Sequence, residues 1–86
     1  MSVRIPKSVT RIEGQAFLNC TGLSSIEIPD TVTEIGAWAI GGCTSLTSIS
    51  FDGTVEQWDT IALMFAWNSN IPATKVICSD GVVSLS

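Results

Sequence analysis

Residues 28–46 read IPDTVTEIGAWAIGGCTSL, and residues 5–23 read IPKSVTRIEGQAFLNCTGL. The two lines are the same sentence written twice. Set 3–25 against 26–48 and ten of 23 positions are identical, among them Ile5/Ile28, Pro6/Pro29, Ile12/Ile35, Ala16/Ala39, Cys20/Cys43 and Leu23/Leu46. A period of this length marks a solenoid, in which each coil buries its apolar side only against its neighbours.

The pattern inside one coil supports that reading. Ser24–Pro29 alternates and is β-branched, so it reads as a short strand with Ile26 and Ile28 inward and Ser25 and Glu27 outward. Pro29 lacks an N–H and ends it. Thr31–Gly36 alternates again and suggests a second short strand, with Gly36 letting the chain turn. AWAIGGC reads as a helical or 3-10 turn that returns the chain, closed by Gly41 and Gly42.

Three substituted columns carry charge. Arg4 faces Glu27, Lys7 faces Asp30 and Arg11 faces Glu34, always plus in the first coil and minus in the second. Coils stacked in register bring such residues about 4.8 Å apart, where opposite charges help modestly and like charges would harm.

The third coil begins in step, with Ile49, Phe51 and Val55 matching Ile26, Ile28 and Val32, and then leaves the period. Thr54 followed by Gln57 is a capping-box signal. Val55, Trp58, Ile61, Ala62 and Phe65 would share one helical face. TKVICSDGVVSL reads as two strands around the hairpin signal Ser79–Asp80–Gly81. The expected organisation is a single solenoid domain over 1–86: a coil at 3–25, a coil at 26–48, and a partial coil at 49–55. The last merges into a cap of helix plus hairpin at 54–86.

No matching N-terminal cap is legible, so the first coil is expected to leave Val3, Ile5, Val9, Ile12 and Phe17 as a bare apolar face. Either the chain was cut from a longer solenoid, or that face is hidden in a homo-oligomer or an exchanged segment.

The totals narrow the function. With 45% hydrophobic and 14% charged residues the chain lacks the composition of disorder. A net charge of −4 supplies no basic footprint for nucleic acid. No apolar run approaches the roughly 20 residues of a membrane helix, so membrane insertion is not expected, and the N-terminus has no signal-peptide pattern. The chain has no histidine, which removes the commonest general base and metal ligand. No cysteine spacing suits zinc and no acidic run suits a calcium loop. No cofactor is expected.

The unit IPxSVTxIxxxAFxxCTxLxSI, present as IPKSVTRIEGQAFLNCTGLSSI and IPDTVTEIGAWAIGGCTSLTSI, closely resembles the BspA-like leucine-rich-repeat family. The tail FDGTVEQWDTIALMFAWNSN…VICSDG resembles the C-terminal cap of those proteins. Departures are Ile40, where the family usually has Phe, and Thr31 in place of Ser. The resemblance implies a leucine-rich-repeat solenoid of short stacked parallel strands. It implies a bacterial surface or secreted protein that adheres to host matrix or surface proteins, with no chemistry in the repeats. A structural cap that self-associates through its N-terminal face is the rival reading.

Individual residues weigh as follows. Cys20 and Cys43 share a column, but stacked Cβ atoms about 4.8 Å apart exceed the usual 3.5–4.5 Å of a disulfide, so buried free thiols are expected. Asn19–Cys20–Thr21 matches a glycosylation sequon and is also part of the repeat's turn. Trp38 matches Gln15 by period, so it should be partly exposed, either at an interface or lying over its neighbours. The outward strand positions Arg4, Glu27 and Ser50, flanked by Ser25 and Ser48, are with Trp38 the expected protein-binding surface.

Overall fold

A computed structural model of the chain describes residues 1–85, and in it the period becomes a stack. Alternating residues form the front strands β1 (Ser2–Arg4), β3 (Ser25–Ile28) and β5 (Ser48–Phe51), and the second alternating run forms β2 (Arg11–Ile12) and β4 (Glu34–Ile35). β1, β3 and β5 pair in parallel, with Val3 on Ile26 on Ile49 and Arg4 on Glu27 on Ser50. β2 pairs β4 with Ile12 on Ile35. The chain is therefore a β-solenoid of about three turns, with front strands stacked about 23 residues apart, as the repeat requires.

The returning segments are turns with a fixed backbone. Gln15, Trp38 and Ala66 all have φ near +60, and so do Asn19 and Asn70, with Gly42 at +74. Left-handed backbone suits Gly and Asn and costs other residues, yet it recurs at corresponding places in all three turns. The reason is a ladder: N–H groups of Gln15, Phe17 and Asn19 donate to the carbonyls of Ala37, Ala39 and Gly41 at 3.0, 2.7 and 2.8 Å. Trp38, Ile40 and Gly42 repeat this onto Phe65, Trp67 and Ser69. Buried turn backbone thus finds partners in the next turn.

The core is one cluster of apolar side chains drawn from the repeat columns. Leu23, Ile26, Ile28, Ile35, Ile40, Leu46, Ile49 and Val76 are essentially sealed. Each such side chain contributes about 1.5–3 kcal/mol when fully buried, far more than an exposed ion pair. Packing therefore builds the stack and charge only biases its register.

Gly36 has a different purpose from the one its sequence context suggests. Its φ is ordinary, but a Cβ there would run into the backbone of Gly14. It is glycine because adjacent turns approach closely at that point.

The third turn departs from expectation. The helix α1 spans only Val55–Trp58, and the proposed apolar face through Phe65 does not exist. The capping box is present, Thr54 accepting from the Gln57 N–H and Gln57 accepting from the Thr54 N–H. After one turn the chain leaves helix, because Ala62–Leu63 gains more by pairing with β4 as a third rung, β6. Ile61 is buried, but Ala62 faces solvent and Phe65 is 80% exposed. The turn is thus completed rather than abandoned at residue 55. Its lengthening holds α1, which seats Trp58 edge-on against Phe51 at 5.3 Å and beside Trp67 at 5.8 Å.

β7 (Lys75–Ile77) adds to β5 in parallel and β8 (Val82–Ser84) pairs back on β7, giving the expected hairpin. The front sheet runs β1-β3-β5-β7-β8 and the second sheet β2-β4-β6. Asp80, in the hairpin turn, accepts a hydrogen bond from the Val55 N–H at 2.8 Å and ties the hairpin to the start of α1. The final residue of the expected cap, Ser86, lies outside the described residues.

Candidate protein-binding surface

The outward face of the front sheet is built by pleat and register. Inward Ile26, Ile28, Ile49 and Phe51 leave their neighbours in sequence pointing out. Stacking then aligns those neighbours into rows: Ser2, Ser25 and Ser48 in one, Arg4, Glu27 and Ser50 in the next. Together with Val3 they line an open concavity of about 480 Å³.

Arg4 Nε lies 2.6 Å from Glu27 Oε2. That hydrogen bond, and then the carboxylate's charge, hold the Arg4 guanidinium above its ordinary pKa. The other two charge columns behave differently. Arg11 pairs chiefly with Glu13 of its own turn, at 2.8 Å, and reaches Glu34 only at 3.8 Å. Glu13 follows β2 two residues after Arg11 in the same turn, and its carboxylate accepts from the Arg11 Nε–H and Nη2–H. Lys7 and Asp30 form no ion pair among the described residues. They sit beyond the strands, where no ladder imposes register.

Trp38 is not part of this surface. It sits in the turn between β4 and β5, half-buried, its ring edge-on to Phe65 at 6.4 Å. Its carbonyl and ring hold the turn: the Gly41 N–H donates to its O at 3.1 Å, and a Cβ on Gly41 would strike the ring.

Two residues the sequence reading missed belong to the outward row. Ser50 pairs with Ile77, and Ile77 pairs with Val82. Ile77 and Val82 are 47% and 54% exposed, an apolar pair beside a polar row. Alternation in KVI would place Ile77 outward. Its alignment with Ser50 is invisible in the repeat because the third turn is longer than the first two.

The remaining expected residues lie at the N-terminal end. Ile5 and Ile12 are buried, Val3, Val9 and Phe17 half-buried, and all five border an apolar concavity of about 310 Å³. The three cysteines are free. Cys43 is sealed and donates its thiol hydrogen to the Phe17 carbonyl, Sγ to O 3.0 Å, and burial pushes its pKa up. Among the described residues no group of His, Cys, Asp or Glu could hold a metal ion, and no helix is long and apolar enough to cross a membrane.

Fold and surface together define a β-solenoid of stacked parallel strands. The profile of the BspA-type leucine-rich-repeat region (6 copies) matches residues 1–82, and the chain belongs to that family. No curated protein and no solved structure matches it. Membership makes it a repeat module of a protein-binding class, in a family usually found on bacterial surfaces or secreted.

Proposed function

We propose that the chain is a non-enzymatic adhesion module of a bacterial surface or secreted protein. Its outward front sheet meets a protein partner such as a host matrix protein. The observation that carries this is the row Arg4–Glu27–Ser50–Ile77–Val82, which runs from an ion pair to an exposed apolar pair across one sheet face. Interfaces combine apolar anchors with polar surroundings, and this face has an apolar pair at one end of a polar row. The small area of three turns favours avidity over single-site affinity, since a standard interface takes about 800 Å² from each partner.

The test is binding of the chain to immobilised collagen and fibronectin, with Ile77→Lys/Val82→Lys as the variant. Both side chains are exposed, so the variant folds. Loss of an anchor pair weakens binding at least tenfold, since anchors cost more than about 1 kcal/mol each. Binding that is absent, or that the double variant retains in full, overturns the reading.

A further inference from the structure

Cys20 and Cys43 stand one above the other in the returning turns, outside any strand. Each follows a residue in left-handed backbone, Asn19 at φ 58 and Gly42 at φ 74. Each carbonyl accepts from a leucine three residues on, Leu23 and Leu46, both at 3.0 Å. The two local folds are copies of one another. The Phe17 and Asn19 N–H groups dock the first copy onto the second through the carbonyls of Ala39 and Gly41. These bonds set the two cysteines at the seam between successive turns.

The Cys43 side chain reaches across that seam. Its thiol donates to the Phe17 carbonyl at 3.0 Å, and the Cys20 N–H donates to the same oxygen at 3.2 Å. One acceptor thus gathers the Cys43 sulfur and the Cys20 backbone. Burial raises the Cys43 thiol, and beyond burial the groups acting on it are the Cys20 N–H and the Cys20 thiol. Cys78 keeps other company. After burial, its thiol feels Asp80 and Asp59 of the cap.

Sheet spacing speaks against a bridge, since Cβ atoms about 4.8 Å apart exceed the usual range by about 0.3 Å. That spacing belongs to strands, and these cysteines lie in turns. The same two turns already approach more closely elsewhere: a Cβ on Gly36 would fall 2.7 Å from Gly14 Cα. Closing the bridge also orphans no buried group. The Cys43 S–H is consumed, and the Phe17 carbonyl keeps the Cys20 N–H as its donor.

We infer that Cys20 and Cys43 are a disulfide site, closed by a small-molecule disulfide such as oxidised glutathione and clamping the first turn to the second. The structure holds the pair in its reduced form. The inference is independent of what the front sheet binds. One cysteine thiolate attacks oxidised glutathione, forming a mixed disulfide and releasing one glutathione thiolate. The other cysteine thiolate attacks the protein sulfur of that mixed disulfide, its S–S bond breaks, and the second glutathione thiolate leaves. The two thiol protons pass to the leaving thiolates. Two cysteines are oxidised to one disulfide, and one glutathione disulfide is reduced to two thiols. Exchange runs while the chain folds, so neither sulfur has to be reachable in the finished stack.

The experiment refolds the reduced full chain in a buffer of reduced and oxidised glutathione, then traps free thiols with an alkylating reagent. Intact mass should show a main species that has lost two hydrogens, carries one alkyl group and holds no glutathione. Cleavage after glutamate separates the cysteines, because Glu27 and Glu34 lie between Cys20 and Cys43 and Glu56 precedes Cys78. The Cys20 and Cys43 fragments should stay joined until reduced, with the alkyl group on Cys78. The bridge spans 23 positions, so the oxidised chain should melt roughly 10–20 °C above the reduced one. Cys78→Ala should repeat this result. Cys20→Ser and Cys43→Ser, checked for folding by circular dichroism, should melt at temperatures that do not depend on the redox buffer. Three alkylated thiols, a glutathione adduct that goes no further, or a bridge to Cys78 or between chains overturns the inference. So does an oxidised chain that melts no higher than the reduced one.

Discussion

Replacing Gly36 by Ala tests whether the first turn truly lies on the second. A Cβ at Gly36 would fall 2.7 Å from both the Glu13 carbonyl carbon and Gly14 Cα. These are backbone atoms, which cannot rotate aside as a flexible side chain would. The rungs must separate, and the Gly36 N–H to Ile12 carbonyl bond at 2.7 Å must lengthen. Overpacking costs about 1–3 kcal/mol and a weakened hydrogen bond roughly 0.5–1.5 kcal/mol, so the loss is about 2–4 kcal/mol. A chain of this size has on the order of 4–13 kcal/mol of stability, so the variant keeps its fold with little margin. Gly22→Ala is the matched control, since nothing lies within 4 Å of its Cβ position. It should be neutral or stabilise by at most about 1 kcal/mol. Urea unfolding compares the two through midpoint and slope, and thermal unfolding should place Gly36→Ala roughly 10–25 °C below the wild type. If Gly36→Ala unfolds at the same midpoint as Gly22→Ala, the first and second turns do not stack at the distance described.

Thr54→Ala removes the acceptor for the Gln57 N–H and should cost about 1 kcal/mol, seen as a lower urea midpoint. Asp80→Ala, which frees the Val55 N–H, should cost a similar roughly 0.5–1.5 kcal/mol, and the double variant should fall short of the sum because both cap one short helix. Cys20, half-buried, should react first with a thiol reagent under native conditions, with Cys43 and Cys78 protected until unfolding. Burial raises the Cys43 and Cys78 thiols, Asp80 adding to the latter, so the folded chain holds those protons to higher pH than the unfolded chain. Stability should be flat below the unfolded thiol value of about 8.5 and fall as pH rises through it. Cys43→Ala/Cys78→Ala should flatten that fall in a series of urea midpoints, and an unchanged slope would assign it to other groups.

The repeat made much of the fold legible. Two copies of one pattern state which residues share a column, and a column is a contact. Val3 on Ile26, Arg4 on Glu27 and Ile12 on Ile35 follow from counting alone. The alternation within a copy states which side of each rung is apolar. The same counting misjudged residues 55–65, where Val55, Trp58, Ile61, Ala62 and Phe65 satisfy helical spacing. Spacing is local, and it cannot weigh a helical turn against an open strand edge at β4.

What the sequence by itself determined is the period, the inward set and the hairpin, because each rests on residues near in the chain or on a pattern stated twice. Only the tertiary structure decided where α1 stops, that Gly36 serves a close approach, and that Ile77 and Val82 extend the outward row of Arg4, Glu27 and Ser50. Those outcomes depend on a third turn of different length. Once the period is broken, partners are chosen by the hydrogen-bonding edge and apolar surface that the first two turns have already exposed.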